Sequence, residues 1–271
     1  MQKPKVLITG ASRGIGAAVA LQLQREGYQV TGTSRNPDDT LKDIRFLKLD
    51  LTAPESIKSC IREAGEIDIL INNAGISQMG AVEEIPPEKI RELFEINFFG
   101  AVEMMQAVLP RMRANRQGMI INIGSLAGRF ALPFRASYSA SKFALAGFTW
   151  ALRNEVMPFG IKVTTIEPGD IRTGINPELF LHPESEYRPY LEKTSKSRSA
   201  SMEQAPEPEK VARVVTFIVQ RYYSKPGYPA PFYYAGKHAS FLVHASRLIP
   251  DIWLEKLIRK SCGLQDHLPT H

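Results

Sequence analysis

Cysteine is scarce in this sequence: two among 271 residues, Cys60 and Cys262, neither in a CxxC pair nor at metal-ligand spacing. That excludes a disulfide-stapled framework and leaves free thiols in a reducing compartment as the expectation. Long apolar runs are missing too, since none reaches the ~18 residues of a spanning helix. Lys3-Pro4-Lys5 leads straight into a strand-like run with no leader pattern, so a cytoplasmic location is expected. The net charge is +6, yet no long Lys/Arg run accompanies it. The basic balance therefore reads as scattered surface charge, and nucleic acid is not an expected partner. Repeats, low-complexity tracts and His/Cys/Asp clusters are likewise lacking, so no metal is expected.

What is present is 44% hydrophobic and 23% charged residues, a balance that suits one globular domain, 1–271, with a sizeable core. Strand-like and helix-like segments alternate. Strands are expected at 6–9, 28–34, 45–49, 67–71, 118–123, 161–167 and 231–236, and helices at 17–26, 54–64, 87–113, 137–157 and 207–220. Such alternation predicts an α/β fold of the Rossmann type, a doubly wound parallel sheet with helices on both faces. Residues 170–208 are rich in Pro, Ser, Glu and Lys, with weak periodicity, and read as a substrate lid.

Chemistry concentrates where strands end. Gly10-Ala11-Ser12-Arg13-Gly14-Ile15-Gly16 joins the first strand to the first helix. Glycines there let the backbone approach a phosphate, and the helix N-terminus attracts the anion. The second strand ends in Ser34-Arg35, where a carboxylate would receive the ribose hydroxyls of NAD. Arg35, with Arg13 nearby, instead offers guanidinium donors to a 2′-phosphate, so NADP(H) is the expected cofactor. In Ser137-Tyr138-Ser139-Ala140-Ser141-Lys142, Tyr138 and Lys142 stand four apart, one turn along a helix face. The ammonium would lower the phenol pKa and let Tyr138 exchange a proton near neutrality, with Ser125 steadying the reacting oxygen.

Together these motifs, with Asp50, Asn72-Asn73-Ala74-Gly75, Asn97 and Pro168-Gly169 followed by Thr173, resemble the short-chain dehydrogenase/reductase family over roughly residues 5–173 plus the last helix and strand. A looser resemblance is to its retinol and 17β-hydroxysteroid dehydrogenase branch. The resemblance implies Asn97, Ser125, Tyr138 and Lys142 as the catalytic set, with Asn97 holding a water that links Lys142 to solvent. It implies a cofactor site of Gly10, Ser12, Arg13, Gly14, Ile15, Gly16, Arg35, Asp50, Leu51, Asn73, Ala74, Gly75, Tyr138, Lys142, Pro168, Gly169, Ile171 and Thr173. Asp50 and Leu51 would meet the adenine, Asn73 the adenosine side, and Ile171 and Thr173 the nicotinamide amide and a phosphate; for Asn73 and Thr173 the other reading is capping and turn formation, and both roles can hold at once. The implied reaction passes hydride between NADPH and a carbonyl or alcohol substrate. The alternative is a non-catalytic NADP-sensing module on the same fold.

Phe130, Leu132, Phe134 and Met79 are expected to line or border an apolar substrate pocket, core or interface being the other reading. A homodimer through the helices at 87–113 and 137–157 is implied by the family, and the apolar Phe143, Ala144, Leu145, Gly147, Phe148 and Trp150 fit it. Beyond the common core, 237–271 reads as a helical extension. Pro250-Asp251 starts a helix with Ile252, Trp253, Leu254, Leu257 and Ile258 on one side and Glu255, Lys256, Arg259 and Lys260 on the other. Packing over the substrate mouth is the favoured reading, and a weak peripheral membrane contact is the alternative.

Overall fold

In a computed structural model of the chain, the described residues are 3–37, 41–223, 225–236, 239–246 and 248–264. The ends of the expected C-terminal extension, at Lys237 and at 265–271, lie outside them. Strands β1 (Lys5–Ile8), β2 (Gln29–Ser34), β3 (Arg45–Lys48), β4 (Ile69–Asn72), β6 (Gly118–Ile123), β7 (Ile161–Pro168) and β9 (Phe232–Ala235) form one sheet in the order β3-β2-β1-β4-β6-β7-β9. Every pair in it is parallel. The central strands β4 and β6 are buried along their whole length, as a parallel sheet covered on both faces requires.

Alternation along each strand divides the core. Val6, Ile8, Ile69 and Ile71 pack with Val19 and Leu23 of α1 (Gly14–Arg25) and Val215 and Ile218 of α7 (Glu209–Tyr222). Leu7, Leu70 and Ile120 face the other way. There they meet Ile57 of α2 (Pro54–Ala64), Met104 and Met105 of α4 (Gly100–Ala114), and Leu145 and Leu152 of α5 (Ala136–Val156). This is the doubly wound single domain expected. The chain leaves β1 for β2 and β3 on one side and returns past β1 to β4 on the other. The crevice at the carboxyl ends of β1 and β4 is thus the switch point where such sheets take ligands.

Two segments depart from the expectation. The single helix expected over 87–113 is broken. Helix α3 (Pro87–Phe94) passes into a π-helical turn, Glu95–Phe99, before α4 resumes. Asn97 lies at the centre of that turn and is buried. Its side chain bonds the backbone of Ile76, and the extra residue in the turn lets it face inward. Residues 170–208 are more regular than their composition suggests: β8 (Glu178–Phe180) pairs in parallel with β5 (Gln78–Gly80), and α6 (Arg188–Glu203) follows. Helix α6 buries only Leu191 and Thr194, which is why its apolar period is weak. The last described helices are α8 (Ala239–Ser246) and α9 (Asp251–Ser261).

Candidate active site

A cleft of about 750 Å³ opens along the carboxyl edge of the sheet. One end is built by the turn after β1. Gly10 has φ +65, and a Cβ there would stand 2.9 Å from the Ala74 backbone. Gly16 is buried, and its Cβ would come within 2.3 Å of the Gly10 carbonyl oxygen. Only glycine lets this turn, the start of α1 and the end of β4 close on one another. Asn73 fastens the arrangement: its Nδ2 donates to the carbonyls of Thr9 at 3.0 Å and Gly10 at 2.9 Å. Thr9 Oγ1 in turn accepts from the Asn73 and Ala74 N–H groups. Turn formation therefore accounts for the Asn73 amide, although the residue also borders the cleft.

Beyond the turn, Ser12, Arg13, Ile15, Arg35, Asp50 and Leu51 line the cleft. Ser34 Oγ is engaged with the Asn36 backbone, donating to its carbonyl at 2.6 Å. Hydrogen bonds from the Thr52 backbone N–H (2.9 Å) and hydroxyl (2.7 Å) hold the Asp50 carboxyl below its usual range, with the Arg35 charge adding to them. Arg13 and Arg35 are both exposed on the rim. Gly14 and Gly16 shape the turn without lining the cleft, whereas Ala74, Gly75, Pro168, Gly169, Ile171 and Thr173 form its walls.

At the other end stand Ser125, Tyr138 and Lys142. Ser125 follows β6 and caps a short helical turn, accepting from the Ala127 N–H at 3.1 Å. Tyr138 and Lys142 lie one turn apart on α5, with the ammonium 5.9 Å from the phenol ring centre. Lys142 is buried and donates to the Ile123 carbonyl at 3.2 Å. Burial pushes the Tyr138 phenol pKa up, but the charges of Lys142, Arg135 and Arg198 and a hydrogen bond with Ser125 outweigh it and hold the phenol below its ordinary value. Burial also lowers the Lys142 pKa, opposed by the Tyr138 charge.

Asn97 does not reach the cleft wall. Its Oδ1 accepts from the Ile76 N–H at 2.8 Å, and its Nδ2 donates to the Ile76 carbonyl at 3.0 Å and to Ser141 Oγ at 3.2 Å. It meets Lys142 across Gly75: a Cβ at 75 would stand 3.0 Å from Asn97 Oδ1 and 3.6 Å from Lys142 Nζ.

Of the four apolar residues expected at the pocket, Phe130 and Leu132 line it. Met79 does not, because its place on β5, paired opposite Leu179, buries it to 1% exposure. Phe134 is not among the lining residues either: its backbone has φ +58, and its ring meets Tyr187 edge-on at 6.3 Å. Two cationic cleft residues near Tyr138 were not anticipated. Arg135 precedes Tyr138 by three, a helix-face spacing that could have marked it. Arg198 comes from α6 and had no sequence signal.

Leu242 and Ser261 of the C-terminal extension also border the cleft. The end of α9 docks on α6, where Ser197 Oγ donates to the Ser261 carbonyl at 2.8 Å. The expected packing of the whole apolar face is not found, because Ile252, Trp253 and Leu257 are 63%, 61% and 53% exposed. Among the described residues, no helix is long and apolar enough to cross a membrane.

Comparison with known proteins agrees with this geometry. The short chain dehydrogenase family profile matches residues 4–184. A 3-ketodihydrosphingosine reductase of Bacteroides thetaiotaomicron is 45% identical over 178 residues, 64% of this chain and 66% of that protein. Bovine (Bos taurus) retinol dehydrogenase 8 is 36% identical over 191 residues, covering 65% of this chain and 61% of its own. The crystal structure of a short chain dehydrogenase from Burkholderia cenocepacia in complex with NADP superposes with a TM-score of 0.72 at 26% identity, over 94% of this chain and 97% of that one. With the Rossmann-type sheet, the glycine turn and the Ser125–Tyr138–Lys142 cleft on one edge, the chain belongs to the short-chain dehydrogenase/reductase family of oxidoreductases.

Proposed function

We propose that the protein is an NADP(H)-dependent oxidoreductase that interconverts a carbonyl compound and its alcohol, with Tyr138 as the proton carrier. The observation that carries this reading is the placement of Ser125, Tyr138 and Lys142 together in the cleft, with the buried Lys142 ammonium 5.9 Å from the Tyr138 ring centre. The residues fit a dinucleotide: the glycine turn leaves backbone at the cleft surface where a Cβ at Gly10 would collide with Ala74, and Arg13 and Arg35 flank the end where a 2′-phosphate would lie. When bound, the nicotinamide cofactor supplies or accepts the hydride.

The rest falls to the chain. Ser125 hydrogen-bonds the substrate oxygen. Tyr138 gives that oxygen its proton in reduction and takes it back in oxidation. Lys142 keeps the phenol acidic and meets the nicotinamide ribose. Asn97 fixes the Ile76 backbone beside Lys142 and holds the water through which the proton is replaced. Asp50 and Leu51 receive the adenine, and Ile171 and Thr173 the nicotinamide end. Phe130 and Leu132 favour a substrate with an apolar portion. The NADP in the Burkholderia structure supports the cofactor, and the names of the Bacteroides reductase and bovine retinol dehydrogenase support an alcohol–carbonyl pair.

The same reading includes a homodimer, which the half-exposed Phe99 and, on α5, Phe143 and Trp150 support, and a cytoplasmic location. The test is loss of NADPH absorbance with a panel of ketones and aldehydes, run with NADH in parallel. No turnover of any carbonyl by a protein that binds NADPH would overturn the proposal.

A further inference from the structure

The proton chemistry proposed above draws on the charge of Lys142, yet two more cations share that end of the cleft. Arg135 stacks its guanidinium carbon 4.4 Å from the centre of the Tyr138 ring. Its Nη2 donates to Ser77 Oγ at 3.1 Å. Arg198 lines the same end from α6, and the two positive charges act against each other. Among the described residues, the Nε–H of each is buried without a hydrogen-bond partner. Among the described residues, neither arginine forms a salt bridge. The carboxylate whose charge acts on Arg198 is Asp170, and one of its oxygens already accepts from Ser201 Oγ.

Two half-buried guanidinium groups of like charge, each with a buried and unpaired Nε–H, are costly unless something answers them. A guanidinium presents a planar fork that matches a carboxylate. Phe130, Leu132, Met202 and Leu242 line the same cleft and offer apolar surface to the remainder of a ligand. We infer that Arg135 and Arg198 form an anion subsite beside Tyr138, and that the substrate is a keto acid or hydroxy acid with an apolar chain. The carboxylate lies within a few bonds of the reacting carbon, because Arg135 stacks directly on the catalytic phenol. This rests on the proposed carbonyl–alcohol reaction and narrows its substrate class. It also disfavours a substrate with an ammonium near the carbonyl, which the two guanidinium groups would repel.

The experiment compares kcat/KM for NADPH-dependent reduction of 2-oxodecanoate and 4-oxodecanoate with that of their methyl esters. At least one acid should exceed its ester by about tenfold. Arg198→Met and Arg135→Met should each cut that acid-to-ester ratio by about tenfold, and Arg198→Lys should restore part of it. Esters reduced as well as the acids would overturn the subsite while leaving carbonyl reduction intact. A separate calorimetric titration with decanoate and with decanol needs no turnover. Decanoate binding tighter than decanol, and weakened by Arg198→Met, supports the subsite even if every ketone proves inert, in which case the reduction reading fails instead. Should Arg198→Met weaken NADPH binding by more than about threefold, the arginine serves the cofactor and the inference falls.

Discussion

The guanidinium of Arg135 lies over the ring of Tyr138, its carbon 4.4 Å from the ring centre, at the start of the helix that carries both residues. With Lys142 one turn further on, the phenol has cations on both sides along α5. In the proposed reduction the phenol gives up its proton, so kcat/KM should fall as pH rises through its pKa. That pKa lies below the ordinary phenol value because Lys142, Arg135 and Arg198 favour the phenolate. Removing one of these charges raises it. Arg135→Leu should therefore move the alkaline limb of the reduction profile to higher pH, and the rising limb of the oxidation profile with it. A shift to lower pH in either direction would refute the electrostatic account.

Tyr138→Phe keeps the ring and removes the proton. It should fold, bind NADPH and lose about 10²-fold or more in turnover, the scale of general acid–base catalysis. Lys142→Met should lose cofactor affinity as well as rate. Near-normal turnover by Tyr138→Phe would show that the proton travels by another route.

Cofactor choice is argued from Arg13 and Arg35 at the cleft rim and from the lack of a carboxylate at Ser34. NADPH should bind at least about tenfold more tightly than NADH, a difference of about 1.4 kcal/mol. Ser34→Asp combined with Arg35→Ala should reverse the order. Equal affinities in the parent, measured by fluorescence titration, would remove the 2′-phosphate assignment.

Where an element is specified by its own residues, the sequence made it readable. Helix α2 starts at Pro54 and stops at Gly65, whose φ of +72 ends it, and both limits could be read directly. Strand β6 is an unbroken buried run whose limits were likewise readable. The spacing of Tyr138 and Lys142 fixed their shared face. The π turn could not be read, because its cause is the bond between Asn97 and Ile76, 21 residues earlier in the chain. Arg198 was equally hidden: α6 buries two residues, so nothing in its own pattern says that it reaches the cleft.

On α5, Gly147 has open space where a Cβ would be, and Phe143 and Trp150 on the same helix are 44% and 53% exposed. If this face pairs with its copy, as the proposed dimer requires, Gly147→Trp should leave the fold intact and shift the protein to monomer. Sedimentation velocity at micromolar concentration, with circular dichroism as the fold control, reads both. A parent that already sediments as a monomer would defeat the proposal.

The C-terminal helices pose a choice between covering the substrate and meeting a lipid surface. Leu242 and Ser261 border the cleft, yet Phe241, Leu248, Ile252, Trp253 and Leu257 are all more than half exposed, Leu248 at 87%. Lys256 and Lys260 are exposed on α9 among these residues, and Lys256 lies over the Trp253 ring. Apolar side chains next to lysines suit an anionic lipid surface, although one short helix binds such a surface only weakly. Both roles can therefore belong to one segment, with the α9 end docked on α6 and its free face turned outward. Deleting residues 248–271 should leave NADPH affinity nearly unchanged and raise KM for bulky substrates, because among its described residues Ser261 borders the cleft and docks on α6, which carries Arg198 and Met202. The intact protein should co-sediment with anionic liposomes at low salt, release as salt rises, and lose that binding on Trp253→Ser with Leu257→Ser. Liposome binding that survives the double substitution would move the contact elsewhere on the surface. Unchanged KM after the deletion would leave the segment no part in shaping the cleft.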